Sequence, residues 1–112
     1  MVSVSKVFKT WQEGFANKDS SKLAEFFTDD FQFVGSQGTR SRQETLDWTA
    51  AGGSPTTVDN LEVLFESDDN ATIVHDAHGL SPTGELGKGQ AMAFYTKRDG
   101  KISHLRVVRT AV

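Results

Sequence analysis

The chain is 112 residues long, contains no cysteine and carries a formal charge of −3 with a pI near 5.5. One domain over residues 1–112 is expected at this length, without a disulfide framework, a zinc–thiolate centre or a cysteine nucleophile. The acidic balance argues against nucleic acid as a partner, because phosphate backbones select basic faces.

The first residues, Met1 to Lys6, hold no apolar stretch of signal-peptide type, and no run reaches transmembrane length. A cytoplasmic protein with no membrane partner is therefore expected. Val4, Phe8, Trp11 and Phe15 then recur at helical spacing, with Val7 beside them, and predict an amphipathic helix ending near Asn17-Lys18. Asp19 or Ser20 is placed to cap a short second helix that buries Leu23, Phe26 and Phe27 and breaks at Thr28-Asp29-Asp30. Phe31 to Val34 alternates as a strand with Phe31 and Phe33 on the core face. Gly35-Ser36-Gln37-Gly38 turns the chain. Ser41-Arg42-Gln43-Glu44 has the form of a capping box and opens a third helix carrying Leu46, Trp48 and Ala50. Gly52-Gly53 and Pro55 stop it.

Four strands follow: about Val58 to Glu66, Ala71 to Gly79, Lys88 to Lys97, and Lys101 to Thr110. Short turns link the first pair and the last pair, and a Gly/Pro-rich loop from Leu80 to Gly87 links the middle pair. Asp99-Gly100 suits a two-residue hairpin loop, since both residues tolerate positive φ. Hairpin succession means a meander. The order helix, helix, strand, helix, then four strands predicts an α+β cone, with three helices on one face of a curved, mainly antiparallel sheet. Such a cone holds an apolar pocket.

This arrangement resembles the cone-fold superfamily of nuclear transport factor 2, ketosteroid isomerase and the SnoaL-like polyketide cyclases. The marks are Trp11 in the first helix, Ala16-Asn17-Lys18-Asp19, and Leu23-Ala24-Glu25-Phe26-Phe27-Thr28-Asp29-Asp30. The closing Phe94-Tyr95-Thr96-Lys97-Arg98-Asp99-Gly100-Lys101-Ile102 is similar to the family's final hairpin. The superfamily mixes enzymes, ligand binders and assembly domains, so the resemblance implies a fold rather than a chemistry. Ketosteroid isomerase works with an Asp base and an oxyanion hole of a Tyr and a protonated Asp. Position by position, the Tyr falls on Trp11, the base on Gly35 or Gln32, and the second acid on Met92. None keeps its acid–base group, so that route is disfavoured. SnoaL-like cyclases, by resemblance, use an Asp and a His in the cavity. Family members often pair through the sheet, which implies a homodimer.

His75 is the best candidate for proton transfer. Strand alternation puts Ile73, His75, Ala77 and Gly79 on one face, and the family hairpin turns that face inward. The plainer alternative is a hydrogen-bonded histidine that orients a ligand or water. Trp11, Phe15, Phe27, Gln32, Phe33, Trp48, Met92 and Phe94 are expected to line the pocket with it. Gln32 or Trp11 would donate to a ligand carbonyl. Arg109 joins them if Leu105 and Val107 face inward; Arg106 does so if Ile102 and Val108 do. Tyr95 is expected to point outward, with Val74, Ala91 and Ala93 on the same outer face. Asp76 and His78, two apart on one strand face, invite a metal with His104 as a further ligand, but the signal is weak. Ser81 to Gly89 lacks a hydroxyl residue after Lys88 and is not a phosphate-binding loop. No cofactor is called for. The expected role is binding or transforming a small hydrophobic molecule by acid–base chemistry at His75. The alternative is a non-enzymatic dimerisation or assembly module.

Overall fold

A computed structural model describes residues 2–35, 38–52, 57–78 and 88–111. The expected turn at 36–37, the stop at Gly53 and Pro55, and the loop from Leu80 to Gly87 lie outside the described residues. Three helices and six strands follow in order: α1 Val4–Asn17, α2 Ser21–Ala24, β1 Phe27–Gly35, β2 Gly38–Ser41, α3 Arg42–Ala50, β3 Thr57–Glu66, β4 Asn70–His78, β5 Lys88–Arg98 and β6 Lys101–Ala111. The strands form one sheet in the order β2-β1-β6-β5-β4-β3. The β3 to β6 meander is antiparallel throughout, as its turn chemistry predicts. The β1–β6 pair is parallel, so the sheet is mixed. Asp99 and Gly100 have φ of 55° and 74° and close the final hairpin between Arg98 and Lys101.

Two element boundaries differ from the sequence expectation. Residues 38–41 form a sixth strand, which pairs antiparallel with β1 from Gly35↔Gly38 to Gln32↔Ser41. Its four residues, Gly-Thr-Arg-Ser, bury no side chain and so carry no alternation to read. Phe27 opens β1 rather than closing α2, and Thr28-Asp29-Asp30 lies inside the strand. The cause is an irregularity in β1 between Phe27 and Gln32. Phe27 and Phe31, an even number of residues apart, share a face, and their rings stack with centroids 3.8 Å apart. Their four-residue spacing mimics a helical repeat.

Helix α1 lies against β3 and α3, and α3 against β1. The amphipathic face of α1 buries Val4, Val7, Phe8, Trp11 and Phe15. Its N-terminus is capped at long range: the Val4 N–H donates to Glu66 Oε2 at 2.8 Å. The same oxygen accepts from Lys97 Nζ at 2.8 Å, and Lys97 also donates to the Ser67 carbonyl. A buried lysine is tolerable only with such partners. At the other end of α1, a Cβ on Gly14 would meet the Asp19 carbonyl and the Thr49 methyl at 3.0 Å each. Glycine therefore sets how closely α3 approaches. Helix α3 opens on the expected capping box, with Ser41 Oγ accepting from the Glu44 N–H and the Glu44 carboxylate from the Ser41 N–H. Its buried face is Thr45, Leu46 and Thr49.

The inward face of the sheet is built in rows across the strands. Phe33, Leu105, Tyr95 and Ala71 form one row; Val107, Ala93 and Ile73 form the next; Arg109, Ala91 and His75 form a third. On β5, Ala91, Ala93 and Tyr95 face inward, and Met92 and Phe94 face outward, 48% and 39% exposed. This reverses the expected parity of β5.

Candidate functional site

A cavity of about 60 Å³ lies between α1 and the inner sheet face. Helix α1 contributes Phe8, Trp11 and Phe15, and β1 contributes Phe33. The other walls come from Val58 on β3, His75 and Ala77 on β4, and Ala91, Ala93 and Tyr95 on β5, with Leu105, Val107 and Arg109 on β6. Its origin is local. Ala91 and Ala93 put only methyl groups where the flanking strands project larger side chains, and the helix cannot descend to fill the gap because its own aromatic rings hold it off. Phe33, Leu105 and Tyr95 are buried, whereas Val58, His75, Val107 and Arg109 are half-buried. The cavity is therefore dry and aromatic at the Tyr95 end and wetter at the His75–Arg109 end.

His75 and Arg109 are both register partners of Ala91. With adjacent strands about 4.8 Å apart, their Cα atoms are about 10 Å apart, and the alanine between them lets both side chains reach over the same space. The inward position of Arg109 follows from a bulge. Thr96 pairs with His104 and Lys97 with Ile102, so Ser103 is extra. Ile102 and Leu105 consequently both face inward, and Val107 and Arg109 follow Leu105. Strict alternation would have forced a choice between the two parities left open by the sequence; the bulge gives Ile102 inward and Arg106 outward.

The imidazole of His75 packs edge-on to Phe8 with centroids 5.1 Å apart. Its Nδ1 lies 3.0 Å from the Asp76 carbonyl oxygen. A carbonyl only accepts, so Nδ1 carries the hydrogen and neutral His75 keeps its lone pair on Nε2. Burial pushes its pKa below the ordinary 6.5. The Asp76 contact opposes this and the Arg109 charge reinforces it, leaving His75 a neutral base at pH 7.

The structure places several expected lining residues elsewhere. Gln32 is exposed on the outer face of β1, across from Ser41 and His104. Met92 and Phe94 are on the outer face of β5 for the reason of parity given above. Phe27 is buried behind the cavity, edge-on to Trp11, and Trp48 packs outside it on Phe15 and Phe33. Trp11, Phe15, Phe33, His75 and Arg109 do meet at the cavity. The Trp11 indole N–H is already used, donating to Thr49 Oγ1 at 3.0 Å. Thr49 in turn donates to the Thr45 carbonyl. Neither Gln32 nor Trp11 is thus available to a ligand carbonyl.

Tyr95 is the residue the sequence reading missed. It is 2% exposed and lines the cavity instead of pointing outward. Burial raises its pKa far above the ordinary 10, so the phenol stays protonated. A protonated phenol at the cavity wall is a hydrogen-bond donor by nature. The metal reading lacks its third ligand. His104 pairs with Thr96 and Asp76 with Gln90, six β5 positions apart, or about 20 Å along the strand. Among the described residues no group of three His, Asp or Glu side chains is placed to hold a metal ion.

The fold and the cavity define an α+β cone of the NTF2-like type. The chain belongs to the SnoaL-like domain family, whose profile it matches over residues 8–105. No curated protein matches it. Among solved structures, an NTF2-like protein of unknown function from Cytophaga hutchinsonii is 13% identical, with TM-score 0.74, covering 98% of this chain and 92% of the other. An epoxide hydrolase/cyclase-like enzyme of pyran ring formation in the polyether salinomycin is 18% identical, with TM-score 0.71 and coverages of 96% and 87%. A candidate calcium/calmodulin dependent protein kinase II association domain from Xanthomonas campestris is 23% identical, with TM-score 0.61 and coverages of 96% and 85%. At these identities the likeness is one of fold. Among the described residues no helix is long and apolar enough to cross a membrane.

Proposed function

We propose that the chain binds a small, largely apolar organic molecule in the cavity and acts on it by proton abstraction at His75 Nε2. The observation that carries this reading is the convergence of His75 and Arg109 over Ala91 at the open end of an otherwise apolar slot. A neutral histidine with its Nδ1–H tied to a backbone carbonyl is oriented to take a proton through Nε2. In this reading Arg109 lends positive charge to the anion that develops on the substrate, alongside the interaction it already makes, and the Tyr95 phenol supplies a donor at the inner end. A neighbour described as an epoxide hydrolase/cyclase-like enzyme has the same fold, so an enzyme on this scaffold has a precedent.

A second reading, an assembly module working through a homodimer, is favoured by the outer sheet face. Met92, Phe94 and Val108 are exposed there, and the association-domain neighbour has the same fold. Native mass spectrometry of gently purified protein separates the two. Added mass on the wild-type chain, absent from His75→Gln or turned over at least about a hundredfold more slowly by it, supports the enzyme. A dimer that carries no small molecule, with the cavity empty in every preparation, moves the weight to assembly.

A further inference from the structure

We infer that the cavity takes a short, uncharged hydroxy-ketone, its carbonyl oxygen accepting from the Tyr95 phenol at the inner end and its hydroxyl donating to His75 Nε2 at the open end. The inference rests on reading the cavity as a ligand site and adds the chemical class of the ligand.

The two polar groups select opposite partners. The Nδ1–H of His75 faces the Asp76 carbonyl at 3.0 Å. What the imidazole offers beyond its own backbone is therefore the Nε2 lone pair, which accepts from an O–H. Tyr95 is 2% exposed on the cavity wall, and burial keeps its phenol protonated. It presents an O–H to a carbonyl oxygen. Both groups are neutral at pH 7, and the walls between them are alanine methyls and aromatic rings. A formal charge on the ligand would be stripped of water there without a counter-charge from either group. Arg109 stands at the rim with an interaction of its own; a ligand held at Tyr95 and His75 needs nothing from it.

The spacing of the two groups sets the length. Ala91 is the register partner of His75, and Tyr95 lies four residues further along β5 on the same face, about 13 Å away at the rise of a strand. Side chains stand roughly perpendicular to a sheet, so a similar distance separates the phenol from the imidazole. Between them, Ala91 and Ala93 project only methyl groups and form a floor. Two hydrogen bonds of about 2.8 Å take up roughly 6 Å and leave about 7 Å between the ligand oxygens. An extended chain of about five carbons spans that gap. The volume agrees, since a cavity of about 60 Å³ has room for roughly four to six water-sized groups. A longer chain meets Leu105, which with Phe33 and Tyr95 closes the inner end in a single row.

Three probes of matched size separate the two contacts. 6-Hydroxy-2-hexanone carries both groups. 2-Heptanone has a methyl group in place of the hydroxyl, and 5-methyl-1-hexanol has one in place of the carbonyl oxygen. Two-dimensional amide NMR of the intact chain reads their binding. The wild type should bind the hydroxy-ketone most tightly, with shifts at residues 75, 91, 93 and 95. His75→Phe should lower its preference over 2-heptanone by roughly three- to tenfold, the worth of one net hydrogen bond, and leave its preference over 5-methyl-1-hexanol. Tyr95→Phe should do the converse. A wild type that binds either analogue as tightly as the hydroxy-ketone overturns the two-point assignment while leaving the ligand site intact. Variants that keep both preferences unchanged do the same. Binding of none of the three overturns the ligand site as well. Should a variant fail to fold, the wild-type series decides by itself.

Discussion

His75 shows how far strand alternation reaches at the scale of one side chain. Its face was legible because β4 keeps a two-residue period, with Ile73 and Ala77 buried on either side, and the family resemblance, not the alternation, said which face is the inner one. Its protonation state was not legible, since it depends on burial and on the Asp76 carbonyl. A depressed folded pKa has a defined consequence for stability. Above pH 6.5 the folded and unfolded chains bind the same number of protons at this site. Below 6.5 the unfolded chain takes up a proton that the folded chain resists, so stability falls as pH drops towards the folded pKa. Urea midpoints measured from pH 7.5 down to pH 5 should decline for the wild type and flatten for His75→Gln. Parallel slopes would show that His75 titrates normally. At lower pH, Glu66 adds the same sign. Burial raises its pKa, but Lys97 and the Val4 N–H outweigh that and hold it below 4.5. Its protonation would then loosen the start of α1.

At the scale of the element, β5 explains both what was readable and what was not. Its existence and ends follow from its turns, but its facing does not. The run Ala91-Met92-Ala93-Phe94-Tyr95 is apolar on both faces, so a period of two cannot say which one is inside. The expectation that the larger side chains point inward fails because the fold puts the alanines inside and so creates the cavity. The bulge at Ser103 was equally silent, since an extra residue in one strand changes no local propensity. Helix α3 gave a weak signal for a different reason. Two of its three buried residues are threonines, made compatible with the core by donating to carbonyls four residues back. If small residues on β5 make the cavity, enlarging one should fill it. Ala91→Leu places three added carbons between His75 and Arg109. It should remove the added ligand mass in native mass spectrometry while changing stability by less than about 1.5 kcal/mol, because the added volume enters existing space. Retained binding would show that the ligand lies elsewhere. A larger loss of stability would show that the space is already occupied by protein.

At the scale of the molecule, the reversal of β5 also changes which residues lie outside. Ala91, Ala93 and Tyr95 were expected on the outer face and are within. In their place, Met92 and Phe94 stand beside Val74 and Val108 across three neighbouring strands. Val108 is 61% exposed, and Phe65, paired with Thr72 on β3, is 56% exposed. Monomeric proteins rarely leave a contiguous apolar face of this breadth in water. A second copy of the chain, related by a two-fold axis, would cover it with the same face and bury on the order of 800 Å² per partner if the contact is of standard size. The helices lie on the other side of the sheet, so such pairing leaves the cavity and its His75–Arg109 end unchanged. Light scattering should therefore give a dimer at tens of micromolar, and Phe94→Glu should give a folded monomer, because a like charge from each copy would be buried near the axis. Ligand mass carried by the wild-type chain should persist in that monomer. A wild-type chain that scatters as a monomer at these concentrations would remove the self-association reading. A Phe94→Glu chain that stays dimeric would move the contact to another surface.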